Sequence, residues 1–191
     1  MRRGSDVKGE MFKSCVWRLG MSIEERQHIA FVGMRPLLFR RYADEFWEVG
    51  VEMTSDFTPV RCFLYCKSIE LSLKAFLLAK GVPVSMLRSR KKPGIGHDLE
   101  KALREAESRG LGDFVEITRE SREELRKAND FYVVKGLEYA DNEEVMMHRG
   151  YFPDAKVLSK FARVLIWVFE DFWSESVQGL AEKSREGKLE I

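Results

Sequence analysis

The chain has 191 residues, enough for one domain with a full hydrophobic core and short for two. With 45% hydrophobic and 33% charged residues it belongs with ordinary globular proteins, and an intrinsically disordered class is excluded. The formal net charge of +1 supplies no global pull toward nucleic acid or a membrane surface, so any such binding has to come from a local patch.

In chain order, residues 1–21 read as a weakly patterned, weakly ordered leader. Arg2 and Arg3 are followed by Asp6, Lys8, Glu10 and Lys13, which interrupt any apolar stretch, so no signal peptide is expected. Ser22 with Glu25 three positions on has the form of a capping box opening a long helix. Val32, Pro36, Phe39, Ala43, Phe46, Gly50 and Met53 recur at steps of four and three, one buried stripe, with Pro36 either kinking this helix or marking its true start. Thr58 and Pro59 punctuate. A second helix is predicted from about Val60 to Lys80, stopped by Gly81 and Pro83.

A basic loop, VPVSMLRSRKKPGI, leads to GHDLEKAL and a third helix whose apolar face is Leu99, Ala102, Leu103 and Ala106. Gly110 followed by Leu111 has the form of a left-handed cap. Asp113 with Glu116 predicts a second capping box and a fourth helix reaching Tyr132 to Lys135. From Gly136 to Phe152 periodicity is lost, which predicts an irregular excursion with a short hairpin. Pro153 sits where a first-turn proline belongs, and Leu158, Phe161, Ala162, Leu165, Phe169 and Phe172 form the inward face of a fifth helix. Residues 179–191 read as an exposed tail, leaving a single helical domain over 22–178. The expected fold is all-α, an antiparallel up-and-down bundle of about five helices.

Three cysteines, Cys15, Cys62 and Cys66, are too few and too unevenly spaced for a disulfide framework and point to the cytoplasm. Cys62 and Cys66 could be half a metal site, but no second Cys or His pair stands at ligand spacing, so they read as core residues and no metal or cofactor is expected. The longest apolar run, Val164 to Phe169, is far too short to span a bilayer. Trp167 and Trp173 read as core or dimer-seam residues, and His28 and His148 as surface residues.

The segment SIELSLKAFLLAKG places Glu70 and Lys74 four apart in an otherwise apolar helix, with Lys67 one turn earlier on the same side. Buried without partners each charge would cost several kcal/mol, so they must pair with each other or with a polar group from elsewhere; His97, at the mouth of the next helix, is the nearest candidate. The group is either a satisfied ion pair that sets helix register or the lining of a polar pocket. A second cluster, Tyr132, Lys135, Glu138 and Tyr139, either stacks on a base and contacts a phosphate or covers the open end of the bundle. Arg88, Arg90, Lys91 and Lys92, with Gly94 and Gly96 running into a helix start, combine positive side chains, flexible backbone and free amides, the ingredients of an anion cradle or of a solvated basic loop. The Gly-Lys-Ser/Thr ending of a P-loop is missing.

The order of a long first helix, SIELSLKAFLLAKG, GHDLEKAL, the segment NDFYVVKGLEY and a final proline-started helix resembles the HEPN superfamily, the higher eukaryote and prokaryote nucleotide-binding helical domain, over roughly Glu24 to Trp173. The resemblance implies an up-and-down bundle, commonly dimeric, in prokaryotic toxin–antitoxin or defence systems dealing with nucleotides or RNA, with a nucleotidyltransferase or other protein as partner. Its catalytic members are metal-independent RNases with an Arg and a His separated by four to six residues near the start of the last helix, the His as general acid or base and the Arg on the developing charge. Here His148 precedes the final helix, and Arg149 and Arg163 have no His downstream. Only Arg90 and His97 match by spacing, in a different element. The expected function is therefore a non-catalytic, homodimeric binding module, with an RNase using Arg90 and His97, or His148 and Arg149, as the alternative. No recognition of a DNA sequence is evident.

Overall fold

Apolar residues at helical spacing need neighbouring helices to cover them, and the architecture follows from that pairing. The computed structural model describes residues 23–54, 58–91, 93–139 and 152–169, with side chains from Arg35 onward. Among the described residues there are helices and no strand: α1 (Ile23–Glu52), α2 (Thr58–Ala79), the short α3 (Val84–Arg88), α4 (Leu99–Ser108), α5 (Arg119–Val133), the single turn α6 (Gly136–Tyr139) and α7 (155–169). The all-α bundle expected from the sequence is what forms. The leader, the tail, Trp173, His148 and Arg149 lie outside the described residues.

Helices α1 and α2 run antiparallel in close contact. Ala43 and Gly50 are buried on α1, and a Cβ on Gly50 would stand 2.6 Å from the Tyr65 ring, so the absence of a side chain sets how near the helices approach. Ser68 Oγ donates to the Ala43 carbonyl at 2.7 Å. The predicted stripe is confirmed for Pro36, Ala43 and Gly50, which are buried, and for Phe39, Phe46 and Met53, which are half-buried. Helix α1 continues through Pro36, so that proline is not its first residue; the helix begins at Ile23, directly after Ser22.

Helix α7 lies antiparallel to α1 on another side. The Trp47 indole donates to the Ser159 carbonyl at 3.0 Å, and Arg163 bonds Asp44 at 2.8 Å while stacking on the Trp47 and Trp167 rings. Leu158, Phe161, Ala162, Leu165 and Phe169 are buried as expected. Trp167 is about half exposed, so it stands outside the core. The start of α7 shifts: Asp154 caps it, accepting from the Lys156 amide at 2.7 Å, which leaves Pro153 one residue before the cap rather than in the first turn.

One other start differs from expectation, through competition from local hydrogen bonding. Leu111–Asp113 forms a tight 3-10 turn after Gly110, whose φ of +88° makes it the left-handed cap predicted for α4. That turn takes Asp113 out of a helix-starting role, and Thr118 caps α5 instead, its Oγ1 accepting from the Ser121 amide at 3.1 Å. Between Gly136 and Tyr139 the expected irregular segment holds one helical turn, and residues 140–151, the place of the expected hairpin, lie outside the described residues. No helix among the described residues is long and apolar enough to cross a membrane.

Candidate functional site

Glu70 sits on a strongly apolar helix, between buried Ile69 and half-buried Leu71, with 2% of its side chain exposed. A carboxylate has about four lone-pair positions, and here four donors meet them. Lys74 Nζ lies 2.5 Å and His97 Nδ1 3.0 Å from Oε1; Tyr132 OH lies 2.5 Å and Lys67 Nζ 3.0 Å from Oε2. Burial by itself would push this carboxyl up, but Lys74 and Lys67, together with the hydrogen bonds from Lys74 and Tyr132, outweigh it and hold the pKa at about 2. Glu70 is thus ionised at neutral pH, and every partner must present a hydrogen to it.

The structure therefore merges two groups that the sequence presents separately. Lys67, Glu70 and Lys74 share one face of α2; His97 reaches them from the residue before the α4 cap; Tyr132 arrives from the end of α5. Lys74 is buried with Glu70, whereas Lys67 remains a quarter exposed and His97 42% exposed. Two ammonium groups against one carboxylate leave the cluster with an excess of positive charge, and its open side is the side of Lys67 and His97. The His97 ring meets Tyr132 edge-to-face, with centroids 6.4 Å apart.

Lys135 is not a partner of Glu70. It occupies the corner between α5 and α6 with a φ of +66°, a left-handed conformation that costs a residue with a Cβ about 1 kcal/mol. The α6 backbone carries Glu138 and Tyr139, whose side chains lie outside the described residues, as does Lys92.

Sequence reasoning missed two residues that aim His97. Asp98 is the N-cap of α4, accepting from the Lys101 amide at 2.9 Å, so His97 is excused from capping and turns to Glu70. Asn129, buried on α5, accepts from the Leu99 amide at 2.8 Å and donates to Asp98 Oδ1 at 3.4 Å. The available signal was a lone amide within the buried α5 pattern of Leu125, Ala128, Phe131 and Tyr132. Asn129→Ala is expected to cost about 1–3 kcal/mol, because it strands a buried amide, and urea unfolding measures it. A loss within error of zero would remove Asn129 from this role.

The basic segment is folded rather than splayed. Val84–Arg88 forms a turn of helix, the Ile95 amide donates to the Met86 carbonyl at 2.9 Å, the Gly94 amide to the Lys91 carbonyl at 2.7 Å, and Lys101 Nζ bonds the Gly94 carbonyl. Arg88, Arg90 and Lys91 stand at the surface on it. Gly96, at a φ of +63°, brings the loop back on itself, so that a Cβ there would lie 3.3 Å from Arg90 Cγ. The Arg90 stem thus packs over the residue next to His97. A Cβ on Gly94 would meet the Ser89 carbonyl oxygen at 2.3 Å, a backbone clash that no side-chain movement relieves. Gly94→Ala is accordingly predicted to open this loop at a cost of about 1–3 kcal/mol, read as a drop in melting temperature. An unchanged melting temperature would contradict the loop geometry.

Cys62 and Cys66 are wholly buried. Burial pushes the Cys62 thiol up to about 12 and the Cys66 thiol well above its ordinary value, so both stay protonated and pack as small core residues, Cys62 against the Pro153 carbonyl at 3.7 Å. No group of three His, Cys, Asp or Glu side chains among the described residues could hold a metal ion.

Comparison of the chain with protein-family models, with curated proteins and with solved structures returns no match.

Proposed function

We propose that this chain is a non-catalytic, HEPN-like helical binding module that works as a homodimer and takes a phosphate-bearing ligand, a nucleotide or the backbone of RNA, on the side of Lys67 and His97, with Arg90 from the adjoining loop. The observation that carries the reading is the saturated carboxylate: Glu70 is buried and fully bonded, while two of its four partners, Lys67 and His97, stay partly exposed. A carboxylate already satisfied neutralises part of the local positive charge and holds the donors in place without competing for the ligand. Arg90, seated over Gly96, adds a guanidinium suited to phosphate oxygens. The resemblance to HEPN domains, whose settings include nucleotidyltransferase partners and toxin–antitoxin or defence systems, supports the ligand class. Leu38, Tyr42 and Val49, exposed along one stripe of α1, are the apolar face assigned to the dimer seam.

Calorimetric titration with ATP and with a single-stranded oligoribonucleotide tests the ligand. Binding should weaken several-fold in Lys67→Gln, which keeps a donor for Glu70, and in Arg90→Gln, and should weaken as salt rises. Binding that ignores both substitutions would sink the assignment of this face. Light scattering at elution should report a dimer, and a monomer at every concentration would remove the seam.

One contact also favours the RNase reading, since Gly96 brings the Arg90 stem beside the neighbour of His97. Incubation with total RNA separates the two. Cleavage by the parent that is lost in His97→Ala and kept in His148→Ala would establish the enzyme, whereas no cleavage by the parent supports the binding module.

A further inference from the structure

We propose that His97 is a phosphoryl acceptor, its Nε2 taking a phosphoryl group held by Lys67 and Arg90 while Glu70 keeps the proton on Nδ1. This rests on the reading that the face receives phosphate, and it adds a covalent step.

Glu70 decides where the imidazole proton sits. Because the carboxylate is ionised and lies 3.0 Å from His97 Nδ1, that nitrogen must carry hydrogen. In the neutral ring the lone pair is then on Nε2. No other hydrogen bond reaches the ring among the described residues, and 42% of the side chain is exposed although its partner Glu70 is 2% exposed. The Tyr132 ring, edge-to-face with the imidazole, limits its rotation. The result is an imidazole whose neutral form has one tautomer, tied at Nδ1 and partly exposed, with Nε2 left without a hydrogen-bond partner among the described residues.

The surroundings suit a phosphoryl group better than a proton alone. Lys67 bonds the other oxygen of the same carboxylate, and the Arg90 stem packs against Gly96, the residue before His97. Both bring positive charge to phosphate oxygens without occupying Nε2. In the step itself the Nε2 lone pair forms an N–P bond while the bond from phosphorus to the leaving group breaks, the leaving group departing with that electron pair. With phosphoramidate as donor the leaving group is ammonia. The ring becomes a cation that retains its Nδ1 hydrogen, and the Glu70 carboxylate at 3.0 Å faces the new charge. A histidine bonded through Nδ1 to a backbone carbonyl would lack this compensation.

Phosphoramidate at neutral pH, applied to the full chain, provides the test. Peptide mapping under non-acidic conditions locates acid-labile phosphate, and phosphorus NMR distinguishes Nε2 from Nδ1 attachment. His97 is expected to be labelled at Nε2 several-fold faster than N-acetylhistidine and faster than His28 and His148. The rate should fall in Arg90→Gln, a change at a surface side chain that leaves the core intact, and in Lys67→Gln. Labelling of His97 no faster than N-acetylhistidine, or at Nδ1, overturns the proposal. A parallel titration with inorganic phosphate, followed through the His97 ring protons, separates the two levels. Saturable shifts without labelling would overturn the acceptor role and leave the phosphate-binding face standing; absence of both would overturn the two together.

Discussion

Glu70→Gln is expected to destabilise the folded chain by about 3–5 kcal/mol, the largest effect of any single polar substitution in the bundle. The amide cannot neutralise Lys74, whose side chain is only 8% exposed, so an ammonium is left buried without a counter-charge. One of the amide's two polar atoms is moreover an NH2 group, set against Lys74 and His97 or against Tyr132 and Lys67, all donors. Removing both charges tests the cause. Glu70→Leu combined with Lys74→Met should recover part of the loss, because an apolar pair of similar volume escapes the desolvation penalty that the ion pair must offset. Urea unfolding at neutral pH gives both values. A single variant that loses less than about 1 kcal/mol would show that Glu70 is not the counter-charge on which Lys74 depends.

Acid should dismantle the same knot over a defined window. The Glu70 carboxyl titrates near 4.5 in the unfolded chain and at about 2 in the fold. A depressed folded-state pKa contributes stability that is fully present above 4.5 and is lost as pH falls toward 2. A pKa difference of one between the two states corresponds to about 1.4 kcal/mol, so the contribution is on the order of 3 kcal/mol. Glu123 is also held down, by its hydrogen bond and charge pairing with Arg119, but that pair is at the surface, where solvent screens it. Circular dichroism against pH should show the loss beginning below 4.5. Tyr132→Phe removes one of the four donors and should move the transition upward in pH, while a titration in which the parent and this variant coincide would refute Tyr132 as a stabilising partner of the charged form.

Much of this site is legible in the sequence because it is local. Lys67, Glu70 and Lys74 fall on one helical face by spacing, and an apolar run around them makes burial and pairing a matter of electrostatic cost. His97 is legible as the nearest polar group in sequence. Tyr132 is visible only as a member of a different cluster, since nothing in a side chain 62 residues away declares which carboxylate it will meet. Asn129 escapes altogether, because a single amide carries no period, and its role depends on where the start of α4 happens to lie. Helix α3 is hidden within the expected basic loop, as five residues between Pro83 and Ser89 are too short to display a repeat.

Composition and hydrophobic periodicity by themselves determined that this protein is an all-α bundle, which helix faces are buried, and that a charged group on α2 would need partners. They could do so because helix formation and burial depend on residues three and four apart. Only the tertiary structure decided who those partners are, that four donors converge on Glu70, that the basic segment folds back over Gly96, and that His97 is tied to Glu70 through one nitrogen while its side chain stays partly exposed. Those outcomes depend on how α2, α4 and α5 pack together, and the geometry of packing is a property of the assembled helices that no single stretch of the chain contains.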